Sequence, residues 1–166
     1  CAPTPIPVIT PTQTVASTVT SLPTSTAQAD PVTTARRLID GINRGDVAGV
    51  LTLFSDDVLW ERGGQCPPGT CIGKSAVQRE IERDVAAQHQ INLINIQIKD
   101  ATVCARVDLQ TAQTRAKAVR RIVQIFTIEV KEGKIAQVRI VNDLTDPETA
   151  NFAKGAVATP IATISC

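Results

Sequence analysis

Cysteine is the residue type in this chain with the most evident capacity for chemistry. Five of the 166 residues are Cys. Cys66 and Cys71 flank Pro-Pro-Gly-Thr, a turn-forming sequence that brings its two ends together. In an exported protein this spacing predicts a Cys66–Cys71 disulfide and leaves Cys104 and Cys166 as the remaining pair. A zinc site is the alternative, but the chain has no second close pair of cysteines and only one histidine, His89. We therefore predict no metal site and no cofactor.

His89 lies just beyond a predicted helix, where a protonated imidazole interacts favourably with the carbonyl end of the helix. No carboxylate that would orient its ring is evident from the sequence. Nucleophilic chemistry by a cysteine, and a catalytic role for His89, are therefore not predicted.

An arginine and a tryptophan share one face of a predicted strand. Val58, Trp60 and Arg62 alternate with Leu59 and Glu61, which is the period of a β-strand. Arg62 could bind a carboxylate or phosphate in bidentate fashion, with Trp60 as an apolar wall. The alternative is that Trp60 belongs to the core and Arg62 is a solvated residue at the rim.

Two aspartates are the weak candidates for an acid or base. Asp108 and Arg106 lie on the strand face opposite Val107 and Leu109, and Asp143 follows the last predicted strand. If the polar face lines a cavity, Asp108 could act as an acid or base. We favour the reading in which Arg106 and Asp108 pair across the surface, because unpaired charges are seldom buried. Asp143 is expected to cap the end of the sheet.

The overall composition narrows the class of protein. Hydrophobic residues make up 43% of the chain, enough for one core, while aromatic residues make up only 2%. So few aromatic side chains argue against a stacking platform for single-stranded nucleic acid. A net charge of +1 argues against general binding of polyanions, so no nucleic-acid partner is predicted.

The first 29 residues differ from the rest of the chain. They contain none of the 17 Lys and Arg residues and none of the 16 Asp and Glu residues, and they are rich in Thr, Ser and Pro. Such a segment cannot bury enough apolar surface to fold, so 1–29 is predicted to be a disordered tether. With Cys1 at its start it resembles a bacterial lipoprotein, which implies lipidation of Cys1, export and attachment to a membrane through that lipid only. The domain is predicted over 30–154 and a tail over 155–166.

The folded part begins with a helical pattern. Asp30-Pro31 suggests an N-cap followed by the first helical residue, and Gly45 ends the helix. A shorter second helix is predicted from Val47 to Phe54, followed by the strand that carries Trp60. The segment from 63 to 73 is predicted to be one long turn.

A third helix is predicted from about Lys74 to Gln88, followed by four strands of alternating pattern. Its charge run is expected to form a solvated helix face, and this run comprises Arg79, Glu80, Glu82, Arg83 and Asp84. Three helices followed by an antiparallel meander indicate the α+β class.

The order of several short sequence words resembles the nuclear transport factor 2-like superfamily, and in particular its SnoaL-like branch. These words are Ile42–Asp46, Leu53–Val58 with Trp60, Ile72–Val77, Phe126–Ile135 and Asp143. The resemblance covers about 30–153. It implies a cone-shaped roll, in which a curved antiparallel sheet wraps around three helices and encloses an apolar pocket. It also implies a homodimer formed through the sheet.

The resemblance further implies where ligands would bind. It places the strand face of Trp60 and Arg62 toward the cavity, and Gln124 and Phe126 on a neighbouring strand are the other predicted ligand-binding residues.

Ketosteroid isomerase-like members of this superfamily use a tyrosine and two acids. In this chain those positions hold Leu38, Arg62 and the pair Ile125-Phe126. Because all three roles are missing, we predict a module that binds a small apolar or anionic ligand, or a protein partner, without that catalytic machinery. The alternative is an isomerase, lyase or hydrolase that uses a single carboxylate, Asp108 or Asp143, beside Arg62.

Overall fold

The structure is a computed structural model and describes residues 30–63, 66 and 69–154. The helices in this part of the chain are α1 (Pro31–Arg44), α2 (Val47–Leu51), α3 (Lys74–Ala86), α4 (Ala112–Ala116) and α5 (Pro147–Lys154). The strands are β1 (Phe54–Arg62), β2 (Thr70–Ile72), β3 (Gln90–Lys99), β4 (Thr102–Gln110), β5 (Ile122–Lys131) and β6 (Lys134–Asn142). The predicted α+β class is confirmed.

All six of these strands form one sheet in the order β2-β1-β6-β5-β4-β3. The meander from β3 to β6 is antiparallel, as predicted, whereas β1 pairs with β6 in parallel. Register shifts interrupt the β1–β6, β3–β4 and β5–β6 pairs. Such irregularities bend strands, and the sheet curves around α1 and α3.

Helix α1 begins and ends where its sequence predicts. The Asp30 carboxylate accepts a hydrogen bond from the Thr33 N–H at 2.9 Å, and Gly45 closes the helix in the left-handed conformation. Gly41 faces α2 closely, since a Cβ atom at this position would collide with the Val50 side chain. A glycine is therefore required for α1 and α2 to pack against each other.

Three elements differ from the sequence-based prediction: the end of α2, and the additional elements β2 and α4. Helix α2 ends at Leu51, and Phe54 belongs to β1 instead of the helix. The predicted turn over 63–73 contains β2, which pairs with β1. Helix α4 was not predicted; it is held by a capping box in which the Thr111 and Thr114 side chains bond to each other's backbone N–H groups.

The core lies between the concave face of the sheet and α1 and α3. Trp60 and Phe54 are fully buried and meet edge to face, with ring centroids 6.1 Å apart. Around them pack the apolar faces of the other elements, including Leu38, Ile81, Val107, Ile128 and Ile135.

The structure contains the predicted Cys66–Cys71 disulfide. A disulfide is compatible with the predicted export. None of the helices in the described residues has the length and apolar character needed to cross a bilayer. Cys1, the tether over 1–29, the tail over 155–166 and the predicted partner of Cys104, Cys166, lie outside the described residues.

Candidate functional site

A cavity of about 270 Å³ opens at one end of the curved sheet. Strands β1, β4 and β6 end there and β5 begins there, while the end of α3, α4 and α5 close the remaining sides. The described residues that line it are Arg62, Gly63, His89, Leu109, Thr111, Gln113, Thr114, Ile122, Gln124, Ile140, Val141, Asn142 and Phe152. The lining is mixed, with polar side chains interspersed among aliphatic ones and Phe152.

Gln124 on β5 supplies one of these polar groups. Its Nε2 donates a hydrogen bond to the Asn142 Oδ1 at 3.0 Å, which fixes the orientation of the amide. Gln124 is only 6% exposed, and its Oε1 is buried without a hydrogen-bond partner in the described part of the chain. A buried acceptor without a partner costs free energy unless something donates to it.

A second polar feature beside the cavity is a cluster of three side chains, Arg62, Asp84 and His89. The Arg62 Nη1 donates to both oxygens of Asp84, at 2.8 and 2.9 Å. His89 directs Nδ1 to Asp84 Oδ1 at 3.3 Å, and its backbone N–H donates to the Asp84 carbonyl at 3.1 Å. Asp84 therefore holds the arginine from β1 and the histidine after α3 against each other.

Burial lowers the pKa of His89 below its ordinary value, and the neighbouring Arg62 charge lowers it further. The Asp84 carboxylate acts in the opposite direction and only partly offsets these effects. His89 is therefore a neutral imidazole at neutral pH, not a cation interacting with the end of a helix as predicted. A carboxylate beside Nδ1 favours the tautomer with the proton on Nδ1 and the lone pair on Nε2.

The prediction of a solvated charge run on α3 is wrong for two of its members. Glu80 and Asp84 are buried, whereas Arg79 and Glu82 are exposed. Val77, Glu80, Ile81 and Asp84 occupy successive positions of one helical stripe, the pattern of a buried face. This spacing was the sequence signal that Asp84 is buried. The contact between Asp84 and the His89 ring also corrects the prediction that no carboxylate orients this imidazole.

The predicted ligand-binding residues divide into two pairs. Arg62 and Gln124 line the cavity. Trp60 and Phe126 are buried in the core beside it and are not among its lining residues in the described part of the chain. Alternation along β1 and β5 places all four on the inner face of the sheet, but only the residues near the strand ends reach the cavity.

The two candidate acids lie elsewhere. Asp143 accepts a hydrogen bond from the Arg106 Nε at 2.8 Å, so Arg106 pairs with Asp143 and not with Asp108 as predicted. Burial favours a higher pKa for Asp143, but hydrogen bonds from Thr145 and Arg106 outweigh it and hold the pKa below the ordinary value. Burial raises the pKa of Asp108, which the nearby Arg121 partly opposes. Neither carboxylate lines the cavity.

A buried sulfur and oxygen cluster lies beside the β1–β2 connection. The Cys66 and Cys71 sulfurs and a Glu80 oxygen lie within 4.8 Å of one another. The two sulfurs are joined in the disulfide, and Glu80 also accepts a hydrogen bond from Arg83 at 2.8 Å. In this oxidised form the cluster lacks the thiolates that a zinc site needs.

The chain resembles several solved structures in fold. An NTF2-like protein from Cytophaga hutchinsonii is 12% identical, with a TM-score of 0.57 over 72% of this chain and 96% of that one. The epoxide hydrolase/cyclase-like enzyme SalBIII of salinomycin pyran ring formation is 17% identical (TM-score 0.59; 70% of this chain, 92% of that one). An LEH-like epoxide hydrolase from M. tuberculosis is 15% identical (TM-score 0.56; 77% and 96%).

A comparison with curated protein sequences finds no match. The SnoaL-like domain family, in contrast, matches residues 35–138, which is most of the part that folds around the cavity. The cone-like fold and this match agree with the resemblance carried by the sequence words. The chain therefore belongs to the SnoaL-like domain family, within the NTF2-like fold.

Proposed function

We propose that this domain binds a small, uncharged and largely apolar molecule that carries a hydrogen-bond donor. The observation that carries the proposal is the Oε1 of Gln124, which is buried at the cavity without a hydrogen-bond partner in the described part of the chain, beside apolar side chains that include Ile122, Ile140 and Phe152. A ligand hydroxyl or N–H group that donates to this oxygen removes the cost of a buried acceptor.

The size of the cavity limits the ligand. A volume of about 270 Å³ is at the lower end of the range for small-molecule sites. A ligand of one or two rings is therefore appropriate. Ile122, Ile140 and Phe152 offer it apolar contacts, and these contacts favour a ligand with a hydrophobic body.

The charge of the site favours an uncharged ligand. Arg62 is the cationic side chain among the lining residues, and its Nη1 already donates to both oxygens of the buried Asp84. Asp84 therefore compensates the charge of Arg62. The site offers a ligand hydrogen-bond donors but no uncompensated positive charge, which favours an uncharged ligand over a permanent anion.

Three matched probes test the proposal: 2-naphthol, 2-methoxynaphthalene and 2-naphthoate. The first has the donor, the second replaces it with a methyl ether, and the third carries a negative charge. By calorimetry we expect 2-naphthol to bind about tenfold more tightly than the ether, which corresponds to one hydrogen bond to a buried acceptor. Tighter binding of 2-naphthoate than of 2-naphthol would contradict an uncharged ligand.

Two variants test the role of Gln124. Gln124→Met keeps the length of the side chain and removes the acceptor, so it should abolish the preference for 2-naphthol over the ether. Gln137→Met is the matched control, because Gln137 is on β6 and donates to Glu61 away from the cavity. An unchanged preference in Gln124→Met would overturn the assignment of this oxygen as the ligand's acceptor.

A further inference from the structure

The cavity holds the one histidine of the chain in a defined orientation. His89 is only 8% exposed, and its backbone and ring are both tied to Asp84. Because Nδ1 faces Asp84, Nε2 is the ring nitrogen left for the cavity that His89 lines. A neutral imidazole whose second nitrogen is fixed by a carboxylate is the arrangement of a general base.

The charges around His89 come from two elements. Asp84 of α3 and Arg62 of β1 face the ring, and they are bonded to each other. Arg115 of α4 donates instead to the side chain of Gln88 at 3.1 Å. The net charge of the Arg62–Asp84 pair is zero, so the carboxylate orients the ring without keeping it protonated.

Arg62 has donors left for a developing negative charge. It lines the cavity and binds Asp84 through Nη1 alone in the described part of the chain. Its Nε–H and Nη2 groups can therefore stabilise an anion formed beside His89. A base and an electrophilic group are thus next to each other at the cavity.

We propose that the Asp84–His89 pair, on the cavity that the proposed function assigns to a ligand, makes this domain a proton-transfer enzyme. His89 Nε2 removes a proton from a carbon of an uncharged substrate whose C–H bond is acidified by a neighbouring electron-withdrawing group. The C–H electron pair moves into that group, and Arg62 stabilises the negative charge. Asp84 is a positioning residue, because it acts through His89. This inference rests on the proposed function and adds turnover to it.

The probe for this chemistry is 5-nitrobenzisoxazole, an uncharged bicyclic compound. A base takes the proton from its C3 atom, the C–H electron pair forms a nitrile, and the N–O bond breaks to leave a phenolate that is followed by absorbance. No oxidant or other reactant is needed. We expect the protein to act faster than imidazole at equal concentration by about 100-fold, the lower end of the effect of a positioned base.

Variants locate the base. His89→Gln should reduce the rate to that of free imidazole or below. Asp84→Asn keeps an oxygen for Nδ1 but removes the charge that raises the pKa of His89, so the pH–rate midpoint should move to lower pH. Glu82→Gln is the matched control, because Glu82 is an exposed acid of the same helix. In the wild type the rate should rise through a midpoint below 6.5 and then level off.

Nuclear magnetic resonance gives a readout independent of turnover and of the fold of the variants. The chain has one histidine, so the ¹⁵N signals of its ring need no assignment. We expect the Nδ1–H tautomer in the wild type at neutral pH. The Nε2–H tautomer, or turnover no faster than imidazole, would overturn the proposal. If 2-naphthol binds and the probe is not converted, the inference about His89 fails alone; if 2-naphthol does not bind, the proposed function fails as well.

Discussion

Asp84 is the buried carboxylate that holds Arg62 and His89 together beside the cavity. It is buried, and it accepts hydrogen bonds from Arg62 while it orients His89. A buried carboxylate without its partners would cost several kcal/mol of free energy. Arg62 offsets that cost, so the two residues are best understood as one neutral unit that presents the imidazole to the cavity.

Trp60 gives a direct test of the core at the level of one residue. The chain has one Trp and no Tyr, so its intrinsic fluorescence reports this position alone. Trp60 is fully buried against Phe54 and does not line the cavity. We therefore expect a blue-shifted emission that iodide does not quench, with the guanidinium-unfolded chain as the reference. Emission at the wavelength of the unfolded chain, with equal quenching, would contradict the burial of this ring.

Sequence reasoning located some of the residues at the cavity and missed others for a physical reason. Period-two alternation put Arg62 on one strand face with Trp60, and Gln124 on one face with Phe126, because that period is local. The family resemblance supplied the direction of the Trp60 and Arg62 face toward the cavity. Arg62 and Asp84 are 22 residues apart in the chain, and their pairing depends on how α3 is rotated against β1. A local period carries no information about that rotation. A charge run on a helix is usually solvated, and only the i, i+3, i+4, i+7 positions of Val77, Glu80, Ile81 and Asp84 indicated otherwise.

Helix α5 is the element that closes the cavity opposite His89, because Phe152 lines it. Three hydrogen bonds tie the start of the helix to the start of β5. The Val123 N–H donates to Thr149 Oγ1 at 2.8 Å, Arg121 Nη2 donates to Asp146 at 2.7 Å, and the Arg120 N–H donates to Glu148 at 2.6 Å. The position of Phe152 therefore depends on these polar contacts.

The charge of Asp146 should make this attachment sensitive to acid. A backbone hydrogen bond from Thr149 and the contact with Arg121 outweigh burial and lower the pKa of Asp146 from 3.8 to about 2. A carboxyl whose pKa is depressed in the folded state stabilises it above the unfolded pKa. This contribution is lost as the pH falls from about 4 to about 2. Asp146→Asn should therefore lower the free energy of unfolding at neutral pH, by an amount that shrinks across this range.

Denaturant unfolding of both proteins at a series of pH values measures the difference. Asp40→Asn is the matched control, because Asp40 is an exposed carboxylate on α1. A constant difference between wild type and Asp146→Asn down to pH 2 would show that the charge of Asp146 contributes nothing.

At the level of elements, local sequence signals predicted most helices and strands but not how β1 joins the sheet. Asp30-Pro31 and Gly45 set the ends of α1, and the alternating runs set β3 to β6. The parallel pairing of β1 with β6 joins Phe54 to Ile135, more than half of the domain apart. No local pattern encodes such a partner, and the short capping box that forms α4 is too brief to produce a helical period.

The cavity is a property of the whole domain. Three of its polar side chains, Arg62, His89 and Gln124, come from separated parts of the sequence, and they meet because β1, the segment after α3 and β5 reach the same end of the sheet. The curvature of the sheet and the closure by α5 leave a space there instead of a packed core. The family resemblance predicted such a pocket, whereas the residues that line it followed only from the assembled fold.

The domain boundary predicted at residue 30 can be tested on the whole molecule. Asp30 itself caps α1, and every residue that lines the cavity lies between Arg62 and Phe152. The uncharged, Thr- and Pro-rich sequence of 1–29 is not expected to add packing. A chain that begins at Ala29 should therefore match the full chain in free energy of unfolding to within about 0.5 kcal/mol and bind 2-naphthol equally well.

A chain that begins at Thr34 provides the contrast, because it removes the Asp30 cap and Pro31 from α1. This loss should lower the free energy of unfolding by about 1 kcal/mol, the usual contribution of an N-cap. If the chain from Ala29 lost as much stability as the chain from Thr34, the first 28 residues would have to pack against the domain. The boundary would then lie earlier than the composition indicates, and the tether would be part of the fold.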